Sequence, residues 1–310
     1  MKKLIKPLTL IITLITMSLP AYAKTSHNFN NTDYTSDNKI LSTNQKISNI
    51  TLSENVYTIC STDDYIYIEY YNMGDNFSQI YRSSYDLKEQ KLIATIPELA
   101  YSLCYYDNSL FYINPVEDDY SVNEICSLNI DTKKLTKHIT YSGDIELCGI
   151  SNNYIYFIVD NNEATRIYKQ NINNPLDKKL IYYSSHDYIL KYELGENKLY
   201  ISTFDAIKSI DLKTSKIVNS YNLNSDYELL GEYNNKLYLY YDGTIYKALE
   251  NNIIETVSEN TENNYADMYP ILMTKGKILL SDYNYNTYLY SLYKYDIDND
   301  KWSLITSYNY

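Results

Sequence analysis

The chain has 310 residues and a net charge of −12, with 39 acids against 27 bases. A surface that acidic repels nucleic acid and anionic lipid, which argues against binding to either. Arginine occurs only at Arg82 and Arg166, so bidentate clamps for phosphate or carboxylate, which favour arginine, are scarcely available.

The first expected element is an export signal over residues 1–23. Lys2, Lys3 and Lys6 form its positive start, Leu8 to Met17 its apolar stretch, and Ala21-Tyr22-Ala23 its small-residue cleavage site. The apolar stretch is too short to span a bilayer, and no second long one follows, so the mature chain is expected not to insert in a membrane. An uncleaved anchor is the alternative. Cleavage removes three lysines and no acid, taking the net charge to −15. Residues 24–45 are polar, rich in Asn, Ser and Thr, and read as a flexible leader.

From about Lys46 the chain repeats a four-strand phrase, predicting one all-β domain over 46–310. Its clearest part is an apolar-aromatic second strand, seen six times. The copies are Tyr65–Ile68, Phe111–Ile113, Ile155–Phe157, Leu199–Ile201, Leu237–Leu239 and Ile278–Leu280. Their central residues, 67, 112, 156, 200, 238 and 279, are 45, 44, 44, 38 and 41 apart. All-strand periods near 40 to 50 residues are propeller blades. Polar pairs such as Asp107-Asn108, Asn152-Asn153 and Asn234-Asn235 precede the segment, and first strands precede those: Val56–Cys60, Tyr101–Cys104 and Glu146–Cys148.

A third strand then ends in an Asp-, Asn- and Lys-rich turn beginning at Asp86, Asp131, Asp211 or Asp296. Fourth strands are expected at Leu92–Ile96, Leu135–Thr140, Leu180–Tyr183, Ile217–Tyr221, Ile253–Val257 and Trp302–Thr306. Six units of four strands give a six-bladed β-propeller. Lys46–Leu52 resembles one further fourth strand, which either pairs into the last blade or covers an outer edge. A seven-bladed ring is the alternative.

Cys60, Cys104 and Cys148 are each 44 residues apart. An exported chain with four cysteines invites a disulfide framework. Equal spacing argues otherwise: cysteines at one repeat position are related by the blade rotation and do not face each other at bridging distance. They are expected free and buried, with Cys126 on a later strand the one candidate for a neighbour.

The segment Asn235-Lys236-Leu237-Tyr238-Leu239-Tyr240-Tyr241-Asp242-Gly243-Thr244-Ile245-Tyr246-Lys247 resembles the tyrosine–aspartate repeat of low-density-lipoprotein-receptor-type six-bladed propellers. The chain is most similar to a family of secreted bacterial propellers without assigned function. The repeat's tryptophan and threonine are absent here, and the aspartate stands one residue later at Asp160 and Asp242. The resemblance implies the propeller fold and extracellular binding, and carries over no ligand or catalytic residue.

Chemistry-bearing motifs are sparse. Asp296-Ile297-Asp298-Asn299-Asp300 alternates acids like a calcium loop, but Lys301 and Ser307 stand where glycine and a bidentate glutamate are needed. A solvated hairpin turn is the expected reading. His27, His138 and His186 are isolated, and no HExxH, GxSxG or phosphate-cradling glycine loop occurs. No cofactor or metal is called for.

The second-to-third loops share one face of a propeller and supply the candidate site. They hold Asp75, Glu117 to Asp119, Asp160, Glu163, Asp205, Asp242 and Asp282, with Tyr120, Tyr241, Tyr283 and Tyr285 beside them. Aspartate is also a common turn residue. The functional reading places Asp160, Asp205, Asp242 and Asp282 near the channel mouth, with Tyr120 and Tyr241 as stacking surfaces. The expected role is a secreted, non-catalytic recognition module, released or retained at the cell wall. Its partner is a protein or polysaccharide, cations and basic chains being the class that the charge favours. The alternative is a carbohydrate-active hydrolase or lyase using channel-facing carboxylates.

Overall fold

Six four-stranded antiparallel sheets, each made from consecutive strands, build the fold. The computed structural model describes residues 56–309 apart from 63, 73–76, 98, 117–120, 162, 224–225, 250–252, 260–266 and 285–286. The expected signal, leader and extra strand at Lys46–Leu52 lie outside the described residues.

Blade one is β1 (Val56–Ser61), β2 (Ile66–Asn72), β3 (Phe77–Ser83) and β4 (Gln90–Pro97). Blade two is β5 (Tyr101–Tyr106), β6 (Ser109–Pro115), β7 (Val122–Asn129) and β8 (Leu135–Ser142). Blade three is β9 (Ile145–Ser151), β10 (Tyr154–Asn161), β11 (Ala164–Asn171) and β12 (Asn174–Ser184). Blade four is β13 (Lys191–Leu194), β14 (Lys198–Ser202), β15 (Ile207–Asp211) and β16 (Ile217–Tyr221). Blade five is β17 (Glu228–Tyr233), β18 (Lys236–Tyr241), β19 (Thr244–Ala248) and β20 (Ile254–Glu259). Blade six is β21 (Asp267–Thr274), β22 (Lys277–Asn284), β23 (Leu289–Asp296) and β24 (Lys301–Asn309). The described residues contain no helix.

Turn chemistry explains the hairpins. Asp107-Asn108, Asn152-Asn153 and Asn234-Asn235 all take positive φ at both positions, the left-handed pair that joins strands of native twist. Lys275-Gly276 does the same in blade six, and a Cβ at Gly276 would lie 2.7 Å from the Tyr233 ring. The third-to-fourth turns of blades one, two, four and six each close on one left-handed residue, at Leu87, Lys133, Ser215 and Asp300. Their aspartates work locally: Thr214 donates to Asp211 Oδ1 from its amide (2.6 Å) and hydroxyl (2.7 Å). In the calcium-like run, Asp296 accepts from the Asn299 amide (3.2 Å), Asp298 from Tyr233 (2.5 Å) and Asp300 from Tyr295 (2.9 Å). Those carboxylates hold a turn.

The ring closes by apolar packing. Successive residues of a strand face opposite sides, so each second strand serves two neighbours at once. In β10, Ile155, Phe157 and Val159 pack back onto Phe111, Ile113 and Ile125 of blade two. Tyr156 and Ile158 pack forward onto Leu199, Ile201 and Ile210 of blade four. Equivalent clusters join blades one and two, four and five, and five and six. A sixth cluster sets Leu279 and Leu292 of blade six against Ile66 and Ile68 of blade one. Blade six uses four strands of its own, with β24, including Trp302–Thr306, outermost.

Blade two corrects the repeat register by one residue. Cys60 pairs with Tyr67, and Cys104 pairs with Phe111, not Tyr112. Tyr112 turns back into the cluster with blade one, while Phe111 points forward to blade three. The pairing of Tyr106 with Ser109 across the Asp107-Asn108 turn sets this phase, and a one-residue slip swaps every side chain between faces. All four cysteines are free. Cys60, Cys104 and Cys148 each join the cluster shared with the next blade, so they point in one rotational sense. They are half-buried rather than buried, because the first strands line the central channel. Burial holds all three thiols above their ordinary range.

Candidate functional site: the loop face and the central channel

Antiparallel order within a blade puts second-to-third and fourth-to-first connections at one end of the channel, the loop face. First-to-second and third-to-fourth turns occupy the other end, the turn face. Among the described residues, seven aromatic side chains are strongly exposed: Tyr65, Tyr183, Tyr188, Phe204, Tyr241, Tyr269 and Tyr288. Six of the seven belong to the loop face, and Tyr65 alone to the turn face. Exposed aromatic area is thus concentrated at one end of the ring.

Charge is segregated as well. The described bases near the loop face are Arg166, Lys191 and Lys208, and each is engaged. Lys191 pairs with Glu228, and Lys208 with Asp187. Arg166 donates to Asn161 Oδ1 (3.0 Å), its guanidinium 5.4 Å from the Tyr183 ring centre. Asp144, Glu163, Asp205 and Asp242 are exposed on the same face. Partial burial of its hydroxyl end first, and then the negative fields of Asp160, Glu146 and Asp144, raise the Tyr188 hydroxyl above its ordinary range. Glu146 is raised too, by burial foremost and then by Asp160 and Asp144, against a hydrogen bond from Tyr192.

The sequence-expected residues divide. Asp205 and Asp242 sit exposed in the β14–β15 and β18–β19 turns, and Tyr241 is exposed at the end of β18, its ring centre 5.1 Å from that of Tyr227. Asp160 and Asp282 are strand residues, correcting their placement in loops. β10 runs on to Asn161, leaving Asp160 half-buried opposite Thr165. β22 runs on to Asn284, burying Asp282 between Met268 and Ser291. Tyr120 lies outside the described residues, as do Asp75, Glu117 to Asp119 and Tyr285. Sequence reasoning did not single out Tyr188, Phe204 or Tyr288. The signal available for two of them was an aromatic within a second-to-third connection.

The channel is a second candidate. Its middle is a cavity of about 430 Å³ lined by side chains such as Ile59, Leu103 and Leu229, with Thr58, Ser102, Glu193 and Glu228 among its polar members. At the turn face it widens into a cavity of about 550 Å³ whose acids are Glu193, Glu196 and Glu232, with Lys275 opposite in charge. Burial pushes Glu193 up to about 8. Glu232 Oε1 accepts from the Tyr200 hydroxyl (3.0 Å), while Oε2 has no hydrogen-bond partner and lies against Gly195, where any Cβ would collide with it. His138 stands apart from this cavity, bonded to Ser127 (2.8 Å) and stacked on Phe111. Among the described residues no group of three or more His, Cys, Asp or Glu is arranged to hold a metal ion.

No protein-family model matches the chain, and no curated protein matches it. Solved structures do. The β-propeller domain of the Trilobed protease from Pyrococcus furiosus, which has an open velcro topology, aligns at 10% identity and TM-score 0.50. It covers 84% of this chain and 98% of its own. An acylaminoacyl peptidase aligns at 8% identity and TM-score 0.53, covering 78% of this chain and 44% of its own. This chain therefore spans under half the length of that peptidase. The nidogen/laminin complex aligns at 13% identity and TM-score 0.48, too weakly to take the receptor-type resemblance beyond the fold. At these identities the likeness is one of architecture: the chain is a six-bladed β-propeller of four-stranded blades.

Proposed function

We propose that this protein is an exported, non-catalytic recognition module that binds a protein or polysaccharide partner through the loop face. The export signal read at residues 1–23 and the tyrosine–aspartate resemblance support placing it outside the cell, released or held at the wall. One observation carries the reading: six of the seven strongly exposed aromatic side chains lie at the loop end of a rigid ring. A scaffold that fixes its loops lowers the ordering cost of binding. Structural neighbours that are propeller domains of peptidases are compatible with a partner-handling role, at fold level alone.

The test is retention of cell-wall and secreted fractions by the mature protein and by a Tyr188→Ala, Phe204→Ala, Tyr241→Ala variant. All three side chains are exposed, so the variant keeps its melting temperature within a few degrees and loses about tenfold or more in affinity. Equal retention by both proteins would remove the loop face from the account.

Glu193 and Glu232 favour a second reading. A carboxyl held protonated at neutral pH beside a second carboxylate in one cavity is the equipment of glycoside hydrolysis. Release of reducing ends from a glycan, abolished by Glu193→Gln, would establish that reading over recognition.

A further inference from the structure

On the loop face one aromatic–carboxylate pair already holds a cation of the chain itself. Lys208 Nζ is ion-paired to Asp187, lies 3.4 Å from the Tyr182 hydroxyl and stands 5.8 Å from the centre of that ring. Tyr182 in turn donates to Asp187 Oδ2 (2.7 Å). An aromatic side chain beside a carboxylate thus holds an ammonium group on this face, using charge and ring quadrupole together.

Elsewhere on the face, exposed rings and exposed acids neighbour each other along the chain. Phe204 adjoins Asp205, and Tyr241 adjoins Asp242, all four exposed. Tyr188 stands within the field of Asp144, Glu146 and Asp160. These groups come from blades two to five, and the face's own bases are already engaged. The lysines of the hairpin turns, such as Lys88, Lys133, Lys213, Lys275 and Lys301, all belong to the opposite end. The molecule is electrostatically two-sided: acidic and aromatic at the loop face, mixed at the turn face.

We propose that the loop face binds a basic, extended polypeptide segment, its Lys and Arg side chains seating among these exposed acids and rings. This rests on the recognition reading above and specifies its partner. Extension is required because these groups are spread over several blades, so one compact cation cannot reach them all. Lysine and arginine both fit: Lys208 occupies one pair, and Arg166 lies over Tyr183 on the same face.

The experiment uses a short oligolysine peptide, titrated into the mature protein at low and at physiological salt, with a neutral polysaccharide in parallel. One variant carries Asp144→Asn, Asp160→Asn, Asp205→Asn and Asp242→Asn. A control with the same charge change carries Asp64→Asn, Glu89→Gln, Asp107→Asn and Asp131→Asn on the turn face. The peptide should bind the mature protein and the control within about twofold of each other, and the loop-face variant about tenfold or more weaker. The Tyr188→Ala, Phe204→Ala, Tyr241→Ala variant should weaken it too, which net charge alone would not cause. Equal weakening by both charge variants, or no peptide binding, overturns the proposal. If the polysaccharide binds instead and the aromatic variant abolishes that, recognition by this face stands and only the basic partner falls. If neither probe responds to any loop-face change, both readings fall together.

Discussion

Replacing Glu69 by glutamine is expected to stabilise the fold and to make its stability fall less steeply between pH 4.5 and 8. Glu69 is 0% exposed on β2, opposite Thr58 and Ile80, and neither carboxyl oxygen has a hydrogen-bond partner. Burial raises its pKa from 4.5 to about 8, opposed by the nearby Ser78 hydroxyl. Ser78 Oγ is itself occupied as acceptor for the Ala100 amide (2.8 Å), a bond that ties the connection between blades one and two to β3. The sign follows from proton uptake. Between pH 4.5 and 8 the folded protein keeps the Glu69 proton while the unfolded chain has released it. Stability therefore falls as pH rises through that window and levels off above it. The full difference corresponds to at most about 5 kcal/mol above pH 8, and relaxation around the carboxylate lowers it to a few kcal/mol. Glutamine keeps the shape and never ionises. Urea unfolding at pH 5, 7 and 9 should show both proteins losing stability along the series and the glutamine variant losing less, with Glu193, raised to about 8 by burial, supplying part of the slope that remains. Parallel curves for the two proteins would show that Glu69 is hydrated or paired.

Phe157→Ala should cost about 3–5 kcal/mol, the range for emptying a buried aromatic site. Phe157 is 0% exposed, packs against Phe111 and Ile113 across the blade interface, and has the Tyr168 ring 5.6 Å away. The cavity opens between two blades, so the loss weakens ring closure as well as one sheet. Leu176→Ala is the matched contrast. Leu176 is 95% exposed on β12, and its truncation should stay within about 0.5 kcal/mol. Chemical denaturation of the two variants beside wild type measures both numbers. A small effect at Phe157 would mean that the two blades do not pack through this strand.

Much of the fold was legible because its signals are local. Asn and Asp pairs take the left-handed turns, and alternating apolar residues fill the blade interfaces, so the strands fall where composition and spacing put them. The phase of blade two was not legible: Phe111 and Tyr112 are adjacent aromatics, and only the pairing of Phe111 with Cys104 decides which faces forward. Asp160 and Asp282 carry the residue type of a turn, yet long central strands absorb them. Half of the candidate site was readable as acids near loops. The rest depends on exposure, which neighbouring blades set. Nothing local separates the exposed Phe204 from the buried Phe157, or the buried Glu69 and raised Glu193 from other glutamates.

Hydroxyl-radical footprinting of the tyrosines tests recognition by the loop face most directly. With oligolysine or a captured partner bound, Tyr188, Tyr241, Tyr269 and Tyr288 should lose reactivity, while Tyr65 at the opposite end keeps its own. Protection of Tyr65, or of Tyr106 at the turn-face cavity, with the loop-face tyrosines unchanged, would contradict the account and move the site to the other mouth of the channel.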